Sequence, residues 1–114
     1  MTELPPAPTV TWRPEAAAEL LALDEQDEAL ADAARQAVAD IIGHHKTGKA
    51  LGDRTTTGVL GGLYRLKFDV SGVRPERYRV IYRQSDDGRV TIWAIGAREG
   101  RAVYRTVLGR WAGR

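Results

Sequence analysis

Leu63-Tyr64-Arg65-Leu66-Lys67-Phe68-Asp69-Val70 and, a short turn later, Arg77-Tyr78-Arg79-Val80-Ile81-Tyr82-Arg83 alternate between apolar and cationic side chains. A period of two marks a β-strand, whose successive side chains point to opposite faces of a sheet. Tyr64, Leu66, Phe68 and Val70 then share a core face with Tyr78, Val80 and Tyr82. Arg65, Lys67 and Arg79 are left to point the other way, from two neighbouring strands. Residues 71–76 carry Gly72 and Pro75 and read as the turn between the runs.

Downstream, Asp86-Asp87-Gly88 is a hairpin turn. Residues 90–97 are apolar at almost every position, which predicts a central strand covered on both faces. Residues 101–111 predict a short last helix, with Val103, Val107, Leu108 and Trp111 as its apolar side. Upstream, residues 49–62 read as a polar loop. Before them Leu30, Ala33, Ala34, Ala37, Val38, Ile41 and Ile42 form one stripe of an amphipathic helix. His44, His45 and Lys46 suit the negative end of that helix. An earlier helix opens at Pro14, whose missing N–H costs nothing in a first turn. Its apolar stripe is Ala16, Leu20, Leu21 and Leu23, and residues 24–27 read as a connection. Residues 9–12 are a short β-type run. The predicted order is β-α-α-β-β-β-α. This is an α+β fold: a small, mostly antiparallel sheet with two N-terminal helices packed on one face and a short C-terminal helix. One domain is expected over 9–114, behind a flexible proline-rich tail at 1–8.

Several kinds of chemistry are excluded. The chain has no cysteine, hence no disulfide, thiolate nucleophile or cysteine-based metal site. His44 and His45 are the only histidines and are adjacent, which is not a conventional metal spacing. Gly43 to Ala50 nearly spells a phosphate loop, but it lacks the final Ser or Thr and follows a helix where a strand is required. Ser71 and Ser85 lie in turns with no histidine nearby in sequence to activate them. No apolar run approaches the roughly 20 residues of a membrane span, and the N-terminus has no signal-peptide pattern. No membrane, metal or small-molecule cofactor is expected, and a cytoplasmic location is.

Charge divides the chain. Residues 1–44 hold two cations against nine acids, a net of −7, while residues 45–114 hold fifteen against six, a net of +9. A basic half laid on strands with interleaved aromatic residues suits a phosphate-bearing partner. Arg98 follows the third strand and Tyr104 lies on the next helix turn, so the expected site is a cationic cradle with a phenol at its rim and no carboxylate at its centre. Arg77, Arg83 and Arg101 are further candidates to bind RNA or phosphate. Strand arginines often form only a solvated face; their joint spacing with Arg98 and Tyr104 argues for more.

The runs Leu63-Tyr64-Arg65-Leu66-Lys67, Tyr78-Arg79-Val80-Ile81-Tyr82, Ile95-Gly96-Ala97-Arg98 and Ala102-Val103-Tyr104 resemble the RelE group of the RelE/ParE toxin superfamily over almost the whole chain. The resemblance implies a toxin that enters the ribosomal A site and cuts mRNA, and a cognate antitoxin as partner. It also implies roles: Lys67 as a catalytic lysine, Arg79 on the phosphate, Arg98 near the leaving group, and Tyr104 stacked on or orienting the cut nucleotide. Arg65 stands where many members have a second lysine, and residues 71–76 are longer than in compact members. ParE-type members, which act on DNA gyrase, generally lack this set. An inactive relative that only binds an antitoxin helix is a third reading.

The residues suit the implied chemistry. Metal-free RNA cleavage needs the 2′-hydroxyl to attack its own phosphate, which calls for a base, positive charge around the phosphorane, and help for the departing oxygen. Arginine stays protonated, with a pKa above about 12. Like charges favour the neutral form of a lysine set among arginines, which makes Lys67 the expected base.

Overall fold

The computed structural model describes residues 10–43, 46–54 and 58–112. The proline-rich tail and the histidine pair fall outside them. The elements are β1 (Val10–Trp12), α1 (Pro14–Gln26), α2 (Glu28–Ile42), β2 (Lys49–Arg54), β3 (Gly58–Phe68), β4 (Tyr78–Gln84), β5 (Val90–Ala97), a 3₁₀ turn (Glu99–Arg101) and α3 (Ala102–Ala112). One sheet runs in the order β1-β5-β4-β3-β2, with β1 parallel to β5 and every other pair antiparallel.

Pro14 opens α1 as expected, after Arg13 in extended conformation. The predicted four-residue connection shrinks to Asp27 alone. Its backbone N–H donates to Leu23 O at 2.8 Å, and its side chain accepts from Leu30 N at 3.2 Å. One residue thus ends α1 and caps α2, where an acid meets the positive helix end. The apolar stripe of α2 packs on the sheet as the periodicity predicts, with Leu30, Ala34, Ala37, Val38 and Ile41 buried.

The sheet has a core on each face. Under α1 and α2 lie Phe68, Val80, Tyr82, Val90, Ile92 and Ile95, flanked by Tyr64, Leu66, Val70 and Tyr78. On the other face, Leu51, Leu63, Ile81, Trp93 and Ala94 pack with Val103, Val107 and Trp111 of α3. A bulge makes this possible. Ile81 pairs with Ala94 but Tyr82 pairs with Ile92, so Trp93 is the extra residue on β5. Trp93 and its neighbour Ala94 therefore both serve the α3 side.

The sequence reading missed one strand. Residues 49–62, expected as a loop, supply β2 and the first half of β3. Glycines at 52, 58, 61 and 62 hide the signal, because glycine has no side chain to reveal alternation and disfavours strands. A register shift between Ala50 and Gly52, with Gly62 at φ +90°, accommodates the irregularity.

β1 accompanies β5 only as far as Ile92. Beyond it, Glu19 of α1 accepts hydrogen bonds from Ile95 N at 3.1 Å and from both terminal nitrogens of Arg110 at 2.9 and 3.1 Å. Arg110 also donates to Trp93 O at 3.0 Å. This ion pair covers the exposed edge of β5 and ties α1 to α3 around it. Trp93 and Trp111 meet edge to face at 4.9 Å, and the Arg13 guanidinium sits 4.3 Å above the Trp93 ring.

Candidate phosphate-binding cleft

Strand register sets the positions of the cationic side chains. Lys67 lies directly opposite Arg79, and Arg65 directly opposite Ile81. Leu63 and Ile81, which alternate in phase with them, are buried on the α3 face, so these cations share that face beyond the reach of α3. Arg79 pairs on its other side with Gly96. A Cβ at Gly96 would come within 3.3 Å of Val103, so the bare backbone here lets α3 settle close to β5. The chain then leaves β5 at Ala97. Arg98 N donates to Arg77 O at 2.8 Å, and Arg101 N to Arg98 O at 2.9 Å. Gly100 and Arg101 both adopt left-handed backbone, with φ near +60°. That corner turns the chain from β5 into α3 within the wall of the cleft.

The resulting cleft holds about 1150 Å³. Of the residues singled out from sequence, Arg65, Lys67, Arg77, Arg79, Arg98, Arg101 and Tyr104 all line it. Arg83 does not: it lies farther along β4, exposed, with its guanidinium 5.7 Å from the Trp111 ring. Glu76 and Glu99 also line the cleft, and Glu76 pairs with Arg74 at 3.7 Å. Lys49 went unnoticed in the sequence because its strand did. It stands exposed, directly opposite Arg65.

The arginines are not equivalent. Arg77 is spoken for: its Nε and Nη2 donate to Asp69 at 2.7 and 2.9 Å, and its backbone N–H donates to the same carboxylate at 3.0 Å. The Asp69 side chain is fully buried and also accepts from Val70 N at 2.8 Å. The Arg77 guanidinium and these N–H groups hold the Asp69 carboxyl well below the usual carboxylate range, against the opposing effect of burial. Asp69 thereby fixes the first residue past the turn, and β4 starts from a set position.

Arg79 is only 4% exposed. Its Nη1 donates to the carbonyls of Glu76 and Tyr78, both at 2.8 Å, and its Nε is buried with no partner. Among the described residues none of Arg65, Lys67, Arg79, Arg98 and Arg101 is in an ion pair. A buried guanidinium without a carboxylate costs the fold several kcal/mol. An oxyanion in the cleft would supply the missing negative charge.

Behind the cleft, Tyr82 braces the floor. Gly48 N donates to its hydroxyl at 2.8 Å, and its ring stacks on Tyr64 at 5.6 Å. Burial pushes the Tyr82 phenol up from its ordinary value, with the Gly48 hydrogen bond acting the other way. A side chain at Gly48 would overlap the carbonyl of Arg65, so glycine is required where β2 approaches β3.

Fold and cleft together define a small basic α+β protein that offers an anion-binding hollow on one sheet face, framed by its last helix. A family model described as the ParE toxin of type II toxin-antitoxin system, parDE, matches residues 10–101. The chain belongs to that family, within the RelE/ParE superfamily of type II toxin–antitoxin toxins. A solved structure, a double arginine-to-alanine mutant of the E. coli toxin RelE in the free state, superposes with a TM-score of 0.63 at 18% identity, covering 92% of this chain and 98% of that one. At that identity the likeness is one of fold. No curated protein sequence matches the chain. No helix among the described residues is long and apolar enough to cross a membrane.

Proposed function

We propose that this toxin is a metal-independent endoribonuclease of the RelE kind, cleaving mRNA on the ribosome by attack of a 2′-hydroxyl on its own phosphodiester. The observation that carries the reading is Arg79: a buried guanidinium with no carboxylate partner, lining a cleft with Arg65, Lys67, Arg98 and Arg101, none of them in an ion pair among the described residues. The scissile phosphate seats against Arg79, with Arg65 supplying further positive charge. Lys67, directly across from Arg79, takes the proton of the 2′-hydroxyl. As the phosphorane forms, Arg79 and Arg98 stabilise its extra negative charge. The P–O5′ bond then breaks, Arg98 donating a hydrogen bond to the departing 5′-oxygen, which takes its proton from solvent, and a 2′,3′-cyclic phosphate remains. Tyr104, half-buried at the rim, stacks on the adjoining base, an interaction worth about 1–3 kcal/mol in single-strand binders.

The partner that holds the toxin silent is an antitoxin whose toxin-binding segment is acidic and covers the cleft, so the affinity of the complex falls steeply with salt. Expression in cells and in a translation extract tests the reading. Wild type arrests growth and produces cuts within translated codons, and Arg98→Ala relieves both. A wild type that leaves translation untouched refutes it. The ParE family match supports a second reading, non-enzymatic inhibition of DNA gyrase. It predicts a block of supercoiling that survives loss of Lys67 and Arg98.

A further inference from the structure

We propose a second phosphate subsite, between Lys49 of β2 and Arg65 of β3, that receives the phosphate next to the scissile one. The inference rests on reading the cleft as an RNA site and extends it from one linkage to two.

Two cross-strand pairs carry it. Lys67 stands directly opposite Arg79, and Lys49 directly opposite Arg65. Residues so placed have Cβ atoms roughly 5 Å apart, and like charges there destabilise a sheet. This sheet has two such pairs on one face, and no carboxylate among the described residues forms an ion pair with any of the four. A single like-charge pair is readily explained by the scissile phosphate. The second pair needs its own anion, because Arg65 and Lys67 are two residues apart on β3, a separation of about 6.6 Å. That is one step along an extended nucleotide chain. The surface between the pairs is continuous, since Arg65 of the one pair lines the same cleft as Lys67 and Arg79 of the other. Gly48, anchored on Tyr82, fixes where β2 begins and thus where Lys49 stands. A purely protective role for Lys49, as a charge that keeps an outer strand from pairing with other chains, makes no distinction between one phosphate and two.

The experiment is an amide NMR titration of the full chain with deoxythymidine oligonucleotides, which lack the attacking hydroxyl. One probe is a dinucleotide with a single phosphodiester, the other a trinucleotide with two. Lys49→Gln is expected to weaken the two-linkage probe about threefold to fivefold and to leave the one-linkage probe unchanged. It should also make the log–log salt dependence of the two-linkage probe shallower by about 0.7. Without any probe, the variant should melt no lower than wild type, because a like-charge pair has been removed. Equal weakening of both probes, or of neither, overturns the second subsite while leaving the first. A wild type that binds neither probe overturns both the subsite and the RNA reading beneath it.

Discussion

Replacing Asp69 with asparagine should cost this fold about 2–3 kcal/mol at neutral pH, and the cost should vanish progressively in acid. The buried carboxylate accepts four hydrogen bonds, from the backbones of Val70 and Arg77 and from two nitrogens of the Arg77 guanidinium. Asparagine keeps one acceptor oxygen but sets an NH₂ group against two of those donors. Hydrogen bonds to a charged group are worth about 1.5–3 kcal/mol each. The Arg77 side chain is 58% exposed, however, so water replaces much of what the guanidinium loses, and the total stays near the value of one such bond. The pH dependence follows from the depressed carboxyl. Its contribution is complete above the unfolded-state value near pH 4 and declines as pH falls toward the lower folded-state value. Asparagine does not titrate, so the gap between the two proteins should narrow steadily below about pH 4. Urea unfolding followed by the fluorescence of buried Trp93 and Trp111 measures it. A gap that stays constant from neutral pH down to about pH 2, or one within error of zero at neutrality, would refute the assignment of the carboxylate as the pin of the β3–β4 turn.

Three further outcomes follow from the same geometry. Gly48→Ala should destabilise the fold by about 1–3 kcal/mol, because the new methyl displaces Gly48 from both Arg65 O and the Tyr82 hydroxyl, leaving a buried phenol without its donor; chemical denaturation reads the loss. Glu19→Gln should cost about 1–3 kcal/mol, since it removes the charge facing half-buried Arg110, and hydrogen exchange at Ile95 N–H should speed up with it. Lys67→Met should abolish cuts in translated codons while leaving the unfolding midpoint near that of wild type, because Lys67 is exposed and in no ion pair among the described residues; a variant that still cuts would remove lysine as the base.

Legibility in the sequence tracked side-chain alternation. Where apolar and cationic residues alternate, from Leu63 to Phe68 and from Tyr78 to Arg83, faces and partners follow from the pleat, and with them the convergence of Arg65, Lys67 and Arg79. The α2 stripe was equally plain. Pattern failed in β2, where Lys49 to Arg54 show no apolar alternation, and at the start of β3, where three of the five residues 58–62 are glycine, and Lys49 was lost with them. The bulge at Trp93 was also invisible, because an all-apolar strand reads the same with or without an extra residue. Arg77 and Arg83 looked equivalent to Arg79 in a one-dimensional alternation. Only contacts distant in the chain separate them, namely the Asp69 carboxylate eight residues back and the Trp111 ring at the far end of α3.

The Glu19–Arg110 clamp has a consequence for how copies of this molecule can meet. A sheet with hydrogen-bonding groups free along both margins can recruit neighbours without limit and grow into fibres. Here one margin is occupied by the three-residue β1 and, past it, by side chains that already satisfy Ile95 N and Trp93 O. The opposite margin, β2, is twice as long. β2 is therefore the longer strand edge left open to margin-to-margin pairing, and an assembly that pairs through β2 alone stops at two chains.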